Sequence, residues 1–322
     1  MDAHLGFLGG WGTVKYVVTG GAGFIGSHIV EELQNQHHEV IILDDFFSGK
    51  RENIAPFLTG KNVSLVQGSV TDLPLLKETF IGADGIFHEG AIASVPRSIA
   101  NPIATNEANV TGTLNVLVAA RDCGVRKVLF ASSSSVYGNT PTLPKREDMT
   151  PNPLSPYAIS KHTGEQYLNV FSDLYGLQTV ALRYFNVFGP RQDPQSQYAA
   201  VIPNFITAIL RKESPHIHGD GKQTRDFSYV KDVVQANIRA MESNAQGVFN
   251  VAYCKRINLL ELADLIMEMT GITVPLIHDP PRAGDVRDSL ADITRAQQAF
   301  GYSPDYTVKT GLEETIAWFK NQ

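Results

Sequence analysis

The sequence predicts a doubly wound parallel α/β domain followed by a smaller α/β lobe. Three observations carry that expectation. Short apolar runs alternate with helical patterns through the first half of the chain. A glycine-rich turn joins the first run to the first helical pattern. The texture turns polar and Gly/Pro-rich after about Phe188. Continuous apolar strands between helices mark a sheet buried on both faces, and right-handed crossovers wind such a sheet into two helical layers. The expected boundary separates residues 1–188 from 189–322, with some later segments returning to the first domain.

The elements follow in order. "KYVVT" (15–19) is the first strand, and a helical pattern runs from about Phe24 to Gln36. "EVIIL" (39–43), "VSLVQ" (63–67), "GIFH" (85–88), "KVLFAS" (127–132) and "QTVALRY" (178–184) are the next strands. The stretch "NPLSPYAISKHTGEQYLNVF" (152–171) opens a helix after a proline-rich loop. Later elements are shorter, with a helix starting near Val230. Helical patterns near 104–122 and 156–175 suit packing on the sheet or pairing with a second subunit.

Composition narrows the function. The chain has 322 residues, 43% of them hydrophobic, enough for a large core. A net charge of −6 gives no electrostatic case for nucleic acid or an anionic membrane. No apolar run approaches the roughly 20 residues of a membrane helix, and residues 1–14 lack the form of a signal peptide. Cys123 and Cys254 lie far apart, outside any metal-ligand spacing. Together these features predict a cytoplasmic protein without a metal centre.

"VVTGGAGFIGSH" places Gly20, Gly23, Phe24, Ile25 and Gly26 between a strand and a helix. Gly20 permits the tight turn, Gly23 lets the backbone approach a diphosphate, and Gly26 lets the helix pack on the strand. The helix start then offers N–H groups and a positive dipole end to phosphate. Asp44 closes the second strand near the spacing of an acid that holds an adenosine ribose; a turn or cap is its plainer role. A carboxylate there would repel a 2′-phosphate, so the expected cofactor is NAD rather than NADP.

Tyr157 and Lys161 stand four residues apart, on one helical face. On spacing alone they are surface neighbours. Beside a bound nicotinamide the pair changes meaning, because an ammonium and a cationic ring both favour phenolate and bring tyrosine from near pH 10 toward working pH. "FASSSSVYG" adds four serines at a strand end, most of them expected only to cap a loop.

These motifs together resemble the extended short-chain dehydrogenase/reductase superfamily and, within it, the UDP-hexose 4-epimerases. The likeness runs from about Lys15 to the C-terminus. It implies a Rossmann-like NAD domain and a UDP-sugar lobe. Ser133, Tyr157 and Lys161 match the catalytic set. Asn109 matches a residue near the cofactor, and Ser69 and Val70 follow the third strand on the cofactor side. Ser69 departs from an Asp that often contacts adenine. His88 ends a strand beside the cofactor groove, and its plainer role is structural. Glu89 replaces an apolar or amide residue, without an explanation from sequence.

The resemblance also implies substrate contacts. Arg225 and Arg282 match the diphosphate clamps, with a planar fork suited to phosphate. Asp285 matches a ribose contact, Asn186 a diphosphate–sugar contact, and Ser134 borders the sugar. His216 and His218 are a poor metal pair and are expected beside uridine or simply on a strand. Related dehydratases carry Asp-Glu where this chain has Ser134 and Ser135, decarboxylases carry Glu at Ser135, and uronate epimerases carry Thr at Asn186. Those differences favour neutral hexoses. Ser289 stands where epimerases restricted to plain hexoses tend to have tyrosine, leaving room for an N-acetyl group. The implied reaction interconverts UDP-N-acetylglucosamine and UDP-N-acetylgalactosamine, or UDP-glucose and UDP-galactose, through a 4-keto sugar. The implied assembly is a homodimer joined by a four-helix bundle. Another UDP-sugar modifier, a net oxidoreductase or a non-catalytic NAD sensor remain the alternatives.

Overall fold

A computed structural model describes residues 13–194, 200–280 and 287–322. Six strands lie in the expected places: β1 (Lys15–Thr19), β2 (Glu39–Asp44), β3 (Val63–Gln67), β4 (Gly85–His88), β5 (Lys127–Ser133) and β6 (Gln178–Tyr184). A further strand, Gly247–Val251, adds itself beside β6. All seven run parallel in the order Gly247–Val251, β6, β5, β4, β1, β2, β3. The chain reverses its direction of travel across the sheet between β1 and β4. That reversal opens a crevice at the strands' carboxyl ends, where open α/β sheets bind ligands.

Both faces are covered, so the strands are apolar throughout rather than alternating. On one face, Val18, Ile42, Leu129 and Leu182 pack under helices Phe24–Asn35 and Val230–Glu242. On the other, Val17, Ile86, Val128 and Ala181 meet helices Gly112–Asp122 and Pro156–Tyr175. Ser155 caps the latter helix by accepting from the Ala158 N–H, and Pro156 suits its first position because no partner is needed there. Gly176, at φ +68°, ends it in the left-handed cap conformation.

A third apolar cluster forms the smaller lobe, around Phe205, Ile209, Ile217, Leu262 and Ile316. Short two-stranded sheets stiffen it. His216–His218 pairs with Ile277–Asp279, and Thr224–Asp226 pairs with Arg256–Asn258. Asp226, fully buried, ties this lobe together by accepting from the backbone N–H groups of Tyr253, Cys254 and Ala291.

Candidate active site

Two cavities occupy the crevice. The first, about 640 Å³, runs from the glycine turn past Asp44, Ser69 and Val70 to Lys161. The second, about 1630 Å³, opens between the sheet and the smaller lobe. Phe24, Ile25, Tyr157 and Tyr184 line both. The Tyr157 side chain therefore stands where the two spaces meet.

The glycine turn is shaped by contact. Gly20 lies at φ +67° with its Cα side against Gly90, and a Cβ there would come within 2.7 Å of the Gly90 backbone. A Cβ on Gly26 would stand 2.2 Å from the Gly20 carbonyl oxygen, so only hydrogen fits between strand and helix. Asp44 is buried and its carboxylate accepts from the N–H groups of Ala22 and Phe46, at 2.9 and 2.8 Å. It both fastens the turn to β2 and borders the cavity. Burial pushes its carboxyl above the usual value, against the pull of those two N–H groups. Ser69 is engaged locally, accepting from the Thr71 hydroxyl at 3.0 Å. The cradle, the acid at the end of β2 and the length of the cavity fit a dinucleotide.

Asn109 stands behind this wall. It accepts from the Ile92 N–H and donates to the Ile92 carbonyl and the Ser160 hydroxyl, fastening the loop after β4 to the Pro156–Tyr175 helix. His88 is buried between Thr19 and Thr113, at 2.7 and 3.0 Å, and burial pushes its imidazole down to about 3. Thr113 donates to the Asn109 carbonyl, so His88 Nε2 carries the ring proton and Nδ1 accepts. This neutral histidine is a structural link.

The four serines of β5 and the turn after it separate cleanly. Ser132, buried where the two cavities border β5, donates to Glu165 at 2.5 Å. Ser133 stands beside the Tyr157 phenol, whose pKa it pulls down, and accepts from the Ser135 N–H at 3.1 Å. Ser134 and Ser135 line the larger cavity. Among the described residues, Ser135 Oγ is buried without a hydrogen-bond partner. Sequence reasoning treated that position only as a missing acid.

Lys161 donates to the Ala131 carbonyl at 2.7 Å, and its ammonium sits 5.9 Å from the Tyr157 ring centre. Burial pushes the ammonium's pKa down. Burial also pushes the Tyr157 phenol up, opposed by the Ser133 hydrogen bond and reinforced by Glu89. The sequence expectation weighed only the cations; burial, the largest influence on the phenol, acts the other way.

Arg225, Ser289 and Asn186 all line the larger cavity. Asn186 donates to the Ser289 hydroxyl at 3.1 Å and to the Asp226 carbonyl at 3.0 Å. Ser289 Oγ also accepts from the Asp226 N–H at 3.1 Å. Arg225 donates to the carbonyls of Thr224 and Arg287, which sets its guanidinium at the rim. His216 and His218 sit on the strand His216–His218 along the same wall, with His216 paired to Asp279 at 2.9 Å. No group of three metal-ligating side chains occurs among the described residues. Arg282 and Asp285 lie outside the described residues.

Residues 16–252 match the sequence profile of the NAD dependent epimerase/dehydratase family. The chain belongs to that family. NAD is the family's cofactor, and the cavity that ends on the glycine turn is built to receive it. Members of known sequence span the whole length: the UDP-glucose 4-epimerase of Mycolicibacterium smegmatis is 40% identical over 313 residues, covering 96% of this chain and 99% of that protein. The UDP-N-acetyl-alpha-D-glucosaminuronate decarboxylase of Bacillus cytotoxicus is 37% identical over 318 residues, covering 95% and 98%. Among solved structures, the UDP-N-acetylglucosamine 4-epimerase of Methanobrevibacter ruminantium M1, in complex with UDP-N-acetylmuramic acid, superposes with a TM-score of 0.93 at 43% identity. It covers 97% of this chain and 100% of its own. The UDP-glucose 4-epimerase of Thermotoga maritima, solved with UDP-glucose, gives 0.92 at 38% identity, covering 96% and 99%.

Proposed function

We propose that this protein is a UDP-sugar 4-epimerase acting on N-acetylated hexosamines and on plain hexoses. The observation that carries the reading is the place of Tyr157, beside Ser133, where a dinucleotide cavity meets a larger one lined by Arg225, Asn186 and Ser289. Bound NAD supplies a reversible hydride acceptor for the sugar's carbon-4. The chain's own residues do the rest. Ser133 and Tyr157 take the proton of the 4-hydroxyl and give it back to the opposite configuration. Lys161 holds positive charge near the phenol. Arg225 and Asn186 hold the diphosphate, with Arg282 and Asp285 as the further contacts that the family likeness implies. Holding the UDP while the sugar turns keeps both faces of carbon-4 in reach. The relatives named as 4-epimerases support this reading over decarboxylation, as do the serines at 134 and 135. The test is incubation with each UDP-sugar, with products resolved by NMR. A net, stoichiometric change in NADH absorbance would turn the reading toward an oxidoreductase.

Substrate breadth rests on Ser289. Its hydroxyl is held by Asn186 and the Asp226 backbone at the cavity wall. Ser289→Tyr is expected to lower turnover of the acetylated sugars about a hundredfold while sparing UDP-galactose. Equal losses for both sugars would remove the pocket-size argument.

We also propose a cytoplasmic homodimer. The unpaired Cys123 and Cys254 suit a reducing compartment, and no helix among the described residues is long and apolar enough to cross a membrane. Ile103, at 79% exposure, and Leu174, at 70%, stand with Ile99 and Ile159 on helices Val95–Ala100, Pro102–Asn106 and Pro156–Tyr175. Such apolar surface calls for a partner, and the helical stretches 104–122 and 156–175 from two copies would make a four-helix bundle. Sedimentation is expected to give a dimer that Ile103→Asp with Leu174→Asp converts to monomer. A monomeric unmodified protein rules this out.

A further inference from the structure

The acid at the end of β4 has a place in the site that its sequence position does not explain. Glu89 borders the dinucleotide cavity beside Tyr157, Lys161 and Tyr184. Its Oε1 lies 2.8 Å from the Tyr184 hydroxyl, and that hydroxyl lies 2.9 Å from Asn237 Oδ1. The orientation of Asn237 is fixed, because its Nδ2 donates to the Val233 carbonyl at 2.7 Å in a fully buried setting. Turning the amide over would set two carbonyl oxygens against each other there.

A hydroxyl has one proton to give. The Tyr184 oxygen faces two others at hydrogen-bond distance, and Asn237 Oδ1 can only accept. If Glu89 were ionised, it too could only accept, and one of the two contacts would set lone pairs face to face in a buried place. Both contacts become hydrogen bonds when the Glu89 carboxyl keeps its proton, donates to Tyr184, and Tyr184 donates to Asn237. Burial acts in the same direction, pushing the Glu89 carboxyl up, with the Tyr184 hydrogen bond and Lys161 opposing.

The ionisable groups that act on Glu89 are Tyr184 on β6 and Lys161 on the Pro156–Tyr175 helix. Asn237, from helix Val230–Glu242, adds a neutral amide, and the β1 turn presents glycine backbone. Tyr157 in turn feels Glu89. We propose that Glu89 is a positioning residue that sets the charge balance of the Tyr157–Lys161 pair: holding its proton it leaves the phenol free to ionise, and releasing it disfavours the phenolate while favouring the ammonium. The proposal rests on the epimerase reading and extends it to a residue outside the serine–tyrosine–lysine set.

Glu89→Gln mimics the protonated acid, since its amide donates to Tyr184 in the same place. An anion beside Tyr157 and Lys161 raises their pKa values, so removing the possibility of that anion matters only where Glu89 would have released its proton. The falling limb of the kcat/KM–pH profile of the NAD-loaded Glu89→Gln protein, which lies above the pH at which Glu89 releases its proton, is expected to move to lower pH by about one unit, while the rising limb, where acid and amide are alike, stays in place. A residue that only supports the fold changes the height of the profile and leaves its position alone. Infrared spectroscopy of the unmodified protein with isotope-labelled glutamate supplies a second readout that needs no turnover. A protonated-carboxyl band is expected near neutral pH, absent from Glu89→Gln and titrating away as pH rises. An unshifted profile, or no such band, overturns the proposal. Absence of epimerisation in the unmodified protein would instead overturn the functional reading, and the infrared band alone would then report the Glu89 proton.

Discussion

Tyr157→Phe is expected to lower epimerisation by about 10²–10⁴-fold, the usual worth of a positioned acid–base group, with retention of NAD and of UDP unchanged. The ring survives the substitution, so the junction of the two cavities keeps its shape. What disappears is the phenol oxygen beside Ser133, on a residue that lines both cavities. Burial pushes that phenol up, and Lys161, held by the Ala131 carbonyl, sets an ammonium 5.9 Å from the ring centre. With the cationic ring of bound NAD drawing the phenol below Lys161, the rate should rise with pH as phenolate forms, then fall as Lys161 loses its proton, with the phenylalanine variant lacking the rising limb. Measurement of kcat, KM and bound-NAD content on the same preparations checks all of this. Activity within a factor of about ten of the unmodified protein would refute the role.

Glu165→Ala is expected to destabilise the fold by about 3–5 kcal/mol, the cost of leaving one member of a buried ion pair alone. Glu165 and Arg183 have side chains 2% and 3% exposed. The pair is bidentate, at 2.8 and 2.7 Å, and Ser132 donates to the same carboxylate. Removing the carboxylate strands the guanidinium over the Tyr137 ring, 4.6 Å away, and frees the Ser132 hydroxyl one residue from Ser133. Urea unfolding reads the loss. Replacing both partners, as in Glu165→Leu with Arg183→Met, should recover much of it, because no uncompensated charge remains. A single-variant loss below about 1 kcal/mol would mean that water reaches the guanidinium and the pair is not a dry one.

The two effects act on adjacent residues of β5 for different reasons. Ser132 and Ser133 are neighbours on the strand; the hydroxyl of one is bound to Glu165, and the other stands beside Tyr157 at the larger cavity. Sequence alone offered four similar hydroxyls. The family likeness singled out Ser133, while the assignment of Ser132 to Glu165 needed the partner helix, 33 residues away. Arg225 was legible as an arginine before a helix. Its hold on the Thr224 and Arg287 carbonyls was not, because Arg287 reaches it only through tertiary folding.

Strand order along the chain, the phosphate-shaped turn and the spacing of Tyr157 and Lys161 are all legible in the residues alone. Each is a local matter of apolar runs, glycine conformation and helical period, settled within a few residues. Tertiary structure decided the rest: the strand Gly247–Val251 joining the sheet, Asp226 binding the lobe, and Glu89 meeting Tyr184 and Asn237 across 95 and then 53 positions of chain. Those pairings depend on which distant groups share a space closed to water, and a buried oxygen's protonation follows from its neighbours, not from its place in the chain.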